Sequence, residues 1–275
     1  MKKRLTRILA LALVMLSILS LAACGGGNGG GNAGGSGSSG NAGSNAGTSG
    51  GDAAPAGYKD TLVWAQGADV TSLDPHQGKE TPAVEVTCQI FDTLLVVDPE
   101  TNELVPQIAE SWDQTDELTY VFKIREGIKF HDGSELTPAD VKFSLERAIN
   151  SAAVSYIVDF IDTVTDNGDG TVTIKTKNPY APALRNLAIP FAAIVPQAVV
   201  EADEEHFILN PVGSGPYKFV EWKQGDHVTM EAFDDYYAGK AETQNLIMRV
   251  IPETSQRSIA LETGEIDLAY DLAVN

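Results

Sequence analysis

The sequence predicts an α/β chain, and three observations carry that reading. Short runs rich in β-branched and aromatic residues, such as 61–65, 171–176 and 246–251, read as strands. Between them lie stretches whose apolar residues recur at helical spacing, two of them opened by the Thr-Pro pairs Thr81-Pro82 and Thr137-Pro138. The two kinds of element are interleaved along the chain, without any internal repeat.

The first 57 residues stand outside that pattern. Lys2, Lys3, Arg4 and Arg7 precede an apolar run from Ile8 to Leu21, the layout of an export signal over residues 1–23. The run is short for a permanent membrane span, which takes about 20 residues. Leu21-Ala22-Ala23-Cys24 is similar to a bacterial lipobox, which implies lipid attachment at Cys24 and cleavage before it. Residues 24–57 are the lipidated cysteine and a Gly/Ser/Asn-rich tether that cannot form a core and whose ends lie about 30 Å apart as a random coil. Folded sequence is expected from Tyr58.

Residues 61–65 read as the first strand and Ser72-Leu73-Asp74-Pro75-His76 as the loop after it. Thr81 is expected to cap the following helix, with Val84, Cys88, Phe91 and Leu95 on its apolar face and Cys88 as a small core residue. Tyr120, Phe122 and Ile124 face one side of a strand, and Ile128 and Phe130 belong to another beyond Gly127. Thr137 caps a second helix with Asp140 at its third position, and Val141, Leu145, Ala148 and Ile149 line its buried side. Residues 161–165 and 171–176 form a hairpin around Asp166-Asn167-Gly168-Asp169-Gly170, whose glycines sit at the wrong offsets for a calcium loop. After the break at Asn178-Pro179-Tyr180-Ala181-Pro182, helical sequence runs to about Ala188. Gly213-Ser214-Gly215-Pro216 turns into a strand over 217–222 that pairs with 228–233. A strand at 246–251, a helix at 254–263 stopped by Gly264 and a strand at 266–270 complete the chain.

The charge balance restricts partners. Four of the 19 basic residues leave with the signal, so 15 face 38 acids, a formal −23 on the mature chain. Such a surface disfavours nucleic acid and anionic lipid, and solubility accounts for most of it. With Cys24 lipidated, Cys88 has no intramolecular partner. The four histidines show no metal-ligand spacing, and no cofactor is expected. The folded part carries no Gly-x-Ser-x-Gly elbow and no His-Glu zinc motif, which weakens an exported hydrolase as an alternative. A repeat-free α/β body also weakens an adhesin.

Four segments together resemble the solute-binding proteins of peptide-type ABC importers, bacterial extracellular solute-binding protein family 5. They are Ser72-Leu73-Asp74-Pro75-His76; the run from Ile108-Ala109-Glu110-Ser111-Trp112 through Tyr120–Gly133 to Thr137-Pro138-Ala139-Asp140-Val141; Gly213-Ser214-Gly215-Pro216-Tyr217; and Asp234-Asp235-Tyr236-Tyr237 with Ala260-Leu261-Glu262-Thr263-Gly264-Glu265-Ile266-Asp267. The resemblance implies a periplasmic-binding-protein-like fold of type II, here incomplete. Residues 58–91 would start lobe I, 92–178 form an inserted subdomain, and 179–275 continue lobe I up to a missing second large lobe. It implies an extracytoplasmic, monomeric binding protein on the outer face of the cell membrane that hands oligopeptides or dipeptides to a permease and its ATPase, without enzymatic chemistry. Relatives of this kind also take nickel, haem or sugars. Family ligand contacts map onto Gly78, Lys79, Glu80 and Thr81, and onto Tyr156. Lys79 and Glu80 read equally well as solvated loop charges, and Tyr236 and Tyr237 as packing.

Overall fold

The computed structural model describes residues 59–272, so the signal, Cys24, the tether, Tyr58 and residues 273–275 lie outside it. Eleven strands and seven α-helices follow in order among the described residues: β1 Thr61–Gln66, α1 Thr81–Ile90, β2 Leu95–Val97, β3 Leu104–Pro106, β4 Ala109–Gln114, β5 Thr119–Ile124, α2 Pro138–Asn150, α3 Ser155–Val158, β6 Ile161–Asp166, β7 Thr171–Thr176, α4 Ala183–Asn186, α5 Gln197–Ala202, α6 Glu204–Leu209, β8 Tyr217–Lys223, β9 His227–Ala232, β10 Asn245–Val250, α7 Thr254–Glu262 and β11 Leu268–Ala269.

Two larger sheets organise these elements. The first has the order β11-β1-β10-β9-β8; β1 runs parallel to β10 and β11, whereas β9 and β8 are antiparallel. The second, β4-β5-β7-β6, is wholly antiparallel, and β2 pairs with β3 as a separate ribbon. Each sheet has its own core. Phe122, Phe130, Ile128, Leu145 and Ile174 are buried against the second sheet, and Leu73, Ile90, Phe207, Met230 and Met248 against the first. Burying each such side chain is worth about 1.5–3 kcal/mol before conformational entropy is counted.

Local sequence explains where α2 begins. Asp140 Oδ2 accepts from both the Thr137 N–H (2.9 Å) and its hydroxyl (2.7 Å), so the carboxylate satisfies a backbone donor ahead of the helix. Val141, Leu145 and Ala148 are buried as expected, with Ile149 packed at the margin. The hairpin of β6 and β7 closes on Asp166–Gly170, with Gly168 and Gly170 at positive φ.

Several expectations are corrected. The first turn of α1 begins at Thr81, so Glu80 holds the N-cap position and Pro82 the second helical position. Its buried face is Ala83, Val86, Thr87 and Ile90, and Cys88 is exposed. The stripe through Val84, Cys88, Phe91 and Leu95 misled because the helix ends at Ile90; Phe91 is extended, and the burial of Phe91 and Leu95 owes nothing to a helical face. Ile128 and Phe130 are buried without a strand, on a turn carrying one bridge between Lys129 and Glu135. The last strand shrinks to Leu268–Ala269.

Candidate functional site

The chain leaves β1 into a loop whose backbone is organised by one carboxylate. Asp74 Oδ1 accepts from the His76 N–H (2.9 Å), while its carbonyl accepts from the N–H groups of Gln77 and Gly78. Its side chain is fully buried and paired with Arg147 on α2, Nη1 to Oδ1 at 2.9 Å and Nη2 to Oδ2 at 2.6 Å. Burying a carboxylate this way is tolerable because a bidentate guanidinium and a backbone N–H meet its oxygens. Arg147 Nη2 also donates to Glu204, an exposed carboxylate at the start of α6.

His76 completes the arrangement as a neutral ring. Nε2 lies 3.0 Å from the Ala193 carbonyl, which only accepts, so Nε2 carries the hydrogen and Nδ1 accepts from Arg147 Nη1 at 2.9 Å. Burial, helped by the Arg147 charge, pushes the His76 pKa down to about 4 against the opposing pull of Asp74. The His76 carbonyl accepts from the Ser151 hydroxyl at 2.5 Å, which ties the loop to the segment beyond α2.

These contacts floor an open depression of about 550 Å³, lined by His76, Gln77, Arg147, Asn150, Ser151 and Glu204 among others. None of the five residues singled out from the sequence lines it directly, although Gln77 precedes Gly78 and the Ser151–Ala153 stretch leads to Tyr156. Gly78 is buried where a Cβ would lie 2.9 Å from that of Ala83 and 3.0 Å from the Ser72 carbonyl oxygen. Lys79, Glu80 and Thr81 are exposed, and Glu80 Oε2 accepts from the Thr71 hydroxyl at 2.6 Å. That hydrogen bond holds the Glu80 carboxyl below its ordinary pKa. Tyr156 is 60% exposed on the one-turn helix α3.

A second polar group sits at the carboxyl end of β1. The buried Gln66 amide donates from Nε2 to the Pro82 carbonyl and to Glu85 Oε2, both at 3.0 Å. Glu85 is shifted up by burial, and Tyr270, also shifted up by burial, senses the Glu85 charge. Beside them the buried Arg257 donates to the carbonyls of Ile251 (2.7 Å), Pro252 (2.9 Å) and Asp271 (2.8 Å). The carboxyl ends of parallel strands are where open α/β sheets present their ligand crevices. Among the described residues no group of three or more His, Cys, Asp or Glu side chains is placed to hold a metal ion.

The model of the family described as "Bacterial extracellular solute-binding proteins, family 5 Middle" matches residues 103–275. The chain belongs to this family. A glutathione-binding protein from Pectobacterium atrosepticum is 34% identical over 225 residues, 80% of this chain and 44% of the relative. The Campylobacter jejuni protein NikZ, solved in complex with Ni(L-His), superposes with TM-score 0.70 at 32% identity over 77% of this chain and 43% of its own. The Helicobacter pylori periplasmic binding protein DppA, in complex with peptide STSA, gives 0.69 at 31% identity over 75% and 45%. The chain thus spans less than half the length of these relatives, and its α/β architecture corresponds to part of the type II periplasmic-binding-protein fold.

The family's sequence segments acquire physical roles here. Asp74 of the first is the buried anchor for Arg147. His131 of the second joins Gly213 and Gly215 of the third: its N–H donates to the Gly213 carbonyl (2.8 Å), Nδ1 accepts from the Gly213 N–H (3.2 Å), and Nε2 donates to the Gly215 carbonyl (2.9 Å). Burial lowers the His131 pKa to about 4, consistent with that neutral tautomer. In the fourth, Asp267 Oδ2 accepts from the Val63 N–H at 2.9 Å and fastens the last segment to β1. Arg147, Ser151, Glu204, Glu85 and Tyr270 were not singled out from the sequence. Only the Asp74-Arg147 charge complementarity could have signalled one of them, and it gives no hint of pairing across 73 positions.

Proposed function

We propose that the protein to which this chain belongs is an extracytoplasmic solute-binding lipoprotein of an ABC importer that captures oligopeptides or dipeptides. It passes them to a membrane permease driven by an ATPase and works without covalent chemistry. The observation that carries the peptide reading is the open depression where the loop after β1 meets the segment beyond α2. Its fold is similar to that of a DppA solved with a bound peptide. In this reading, capture is a shift toward a closed form that the solute binds better.

Gly78, Lys79, Glu80, Thr81 and Tyr156 are proposed contacts. Gly78 lets the loop approach α1 closely, while the exposed side chains of the other four remain available. Residues 58–91 and 179–275 are read as lobe I, because the five-stranded sheet draws its strands from 61–66 and from 217–269. Residues 92–178 are read as the inserted subdomain, since the four-stranded sheet uses only 109–176. The body is proposed to be monomeric and anchored through Cys24 on the outer face of the cell membrane, where several acyl chains give stable attachment.

Native mass spectrometry of the full-length protein tests the solute. A co-purified ladder of short peptides is expected, and a single bound nickel, haem or oligosaccharide mass would overturn the peptide reading. Labelled palmitate tests the anchor: incorporation is expected in the native protein and absent after Cys24→Ser.

A further inference from the structure

Asp92 lies where four parts of the fold meet. It follows α1, and its carbonyl accepts from the Ile194 N–H at 2.9 Å, next to Ala193, whose carbonyl receives His76 from the floor of the depression. Its buried carboxylate holds the other two parts. Oδ1 accepts from Gln107 Nε2 (2.7 Å), in the link from β3 to β4, and Oδ2 from the Tyr237 hydroxyl (2.8 Å), in the loop from β9 to β10. A loop of the five-stranded sheet is thus clasped to the approach of the four-stranded one. Lys129 grips the same loop through Asp235 at 2.7 Å, and the Arg125 guanidinium stands 5.7 Å from the Tyr237 ring centroid.

Few charged or titratable groups surround this carboxylate. Tyr236 and Tyr237 face it from the loop after β9, where Asp234 is paired with Lys240 and Asp235 with Lys129. Arg125 is the cation on the side of the four-stranded sheet, and it is occupied by the Tyr237 ring and, through Nε at 3.3 Å, by the Gln107 carbonyl. The last turn of α1 and residues 193–194 bring no charged side chain. A carboxylate sealed among neutral donors is costly when ionised, and a proton removes that cost. Gln107 cannot turn over to accept the proton, because its Oε1 already takes the Thr93 N–H at 3.2 Å. The Tyr237 phenol oxygen can accept it, so the hydrogen bond between Asp92 and Tyr237 survives protonation with its direction reversed. Burial, which pushes the Asp92 pKa up to about 7, agrees with this geometry.

We infer that Asp92 and Tyr237 form a proton-operated latch between the two sheets, fastened while Asp92 carries a proton and loosened once it loses it. In the loosened form water reaches the carboxylate, and Arg125, already beside Tyr237, is the cation placed to pair with it. With the latch open, Asp92 titrates as an ordinary carboxylate near about 3.9, so opening releases a proton at any pH between that value and the higher one of the closed form. The opening equilibrium therefore rises by up to about tenfold per pH unit from about 4 to about 7 and levels off above. Acidification fastens the latch, and neutrality loosens it.

Hydrogen exchange read by mass spectrometry on the full-length protein in detergent, at pH 5, 6, 7 and 8 and corrected for intrinsic exchange, tests the latch. Protection of the amides in 233–239 is expected to fall by about tenfold or more from pH 5 to 7 and to change little from 7 to 8. The hairpin at 161–176, which makes no contact with Asp92 through its side chains, should hold its protection over the same series. Asp92→Asn carries no titrating proton, and its protection in 233–239 should stay level with pH. Level protection in the native protein overturns the latch, whether or not the variant folds. So does a fall that Asp92→Asn reproduces, or one that 161–176 shares in equal measure.

Discussion

Arg147 and Asp74 face each other as a two-pronged pair, Nη1 to Oδ1 at 2.9 Å and Nη2 to Oδ2 at 2.6 Å, with the Asp74 side chain wholly buried. The pair joins a loop leaving one sheet to the helix packed on the other. Its effect on stability is asymmetric. Together the two charges cancel, whereas Asp74 alone is a buried charge without a cation, and Arg147 alone keeps the exposed Glu204.

Arg147→Met is therefore expected to destabilise the protein by about 3–5 kcal/mol, and Asp74→Leu by less, because Glu204 still pairs with Arg147. Combined, the two substitutions should cost clearly less than the sum of the singles. Urea unfolding of the three variants checks this. Additive losses would show that the pair does not act as a unit.

Gly213 is placed where a side chain has no room. A Cβ there would fall 2.0 Å from the Ile90 carbonyl oxygen, at the point where α1 ends against the turn into β8. Gly213→Ala must push these backbones apart and is expected to cost more than about 3 kcal/mol. Gly225 provides the contrast: its φ is +73° and nothing lies within 4 Å of an added Cβ. Gly225→Ala should cost only about 1 kcal/mol of backbone strain. Equal losses in the two variants, read from denaturant midpoints, would refute the close-approach argument.

Asp140 serves two elements at once. Oδ2 takes the Thr137 donors, and Oδ1 accepts from the Gln197 N–H at 2.9 Å, so the carboxylate joins the starts of α2 and α5. Asp140→Ala removes both links and is expected to cost about 2 kcal/mol or more, above the roughly 1 kcal/mol of an ordinary lost cap. Thr137→Ala, which leaves the Gln197 contact in place, should cost about half as much. Thermal unfolding of both variants decides it, and equal losses would deny the second link.

The Thr137 capping box and the Asp166–Gly170 hairpin were legible because their chemistry is local, with donor and acceptor a few residues apart. Helix α1 was legible only as an element. Its apolar stripe runs on through Phe91 and Leu95 into extended chain, so periodicity set the buried face wrongly and placed exposed Cys88 in the core. The lining of the depression was not legible in the sequence. The family resemblance pointed to 78–81, but the residues lining the depression depend on contacts such as Asp74 with Arg147 and His76 with Ser151, at separations of 73 and 75. Tyr237, read as packing, donates to Asp92 across 145 positions. No periodicity records a pairing at that range.

Asp92 is the basis for a pH prediction. Its carboxylate is 2% exposed and meets only neutral donors, Gln107 Nε2 at 2.7 Å and the Tyr237 hydroxyl at 2.8 Å. Arg125 reaches the Tyr237 ring, 5.7 Å from its centroid, and forms no ion pair with Asp92. Burial raises the Asp92 pKa from 3.8 to about 7, so the folded state binds a proton there more tightly than the unfolded state does. Its contribution to stability is fully present below about pH 4 and is lost as pH rises through about 7. His76 and His131 have the opposite sign, because folded pKa values of about 4 make acid favour unfolding between the unfolded value near 6.5 and 4. Asp92 thus counterweights the two histidines. Asp92→Asn removes the counterweight, and its stability relative to the native protein should worsen by up to about 1.4 kcal/mol per pH unit as pH falls from 7 toward 4. Urea unfolding of both proteins at pH 4.5, 5.5, 6.5 and 7.5 measures that difference. A gap that stays constant across the series would mean that Asp92 keeps its charge in the fold.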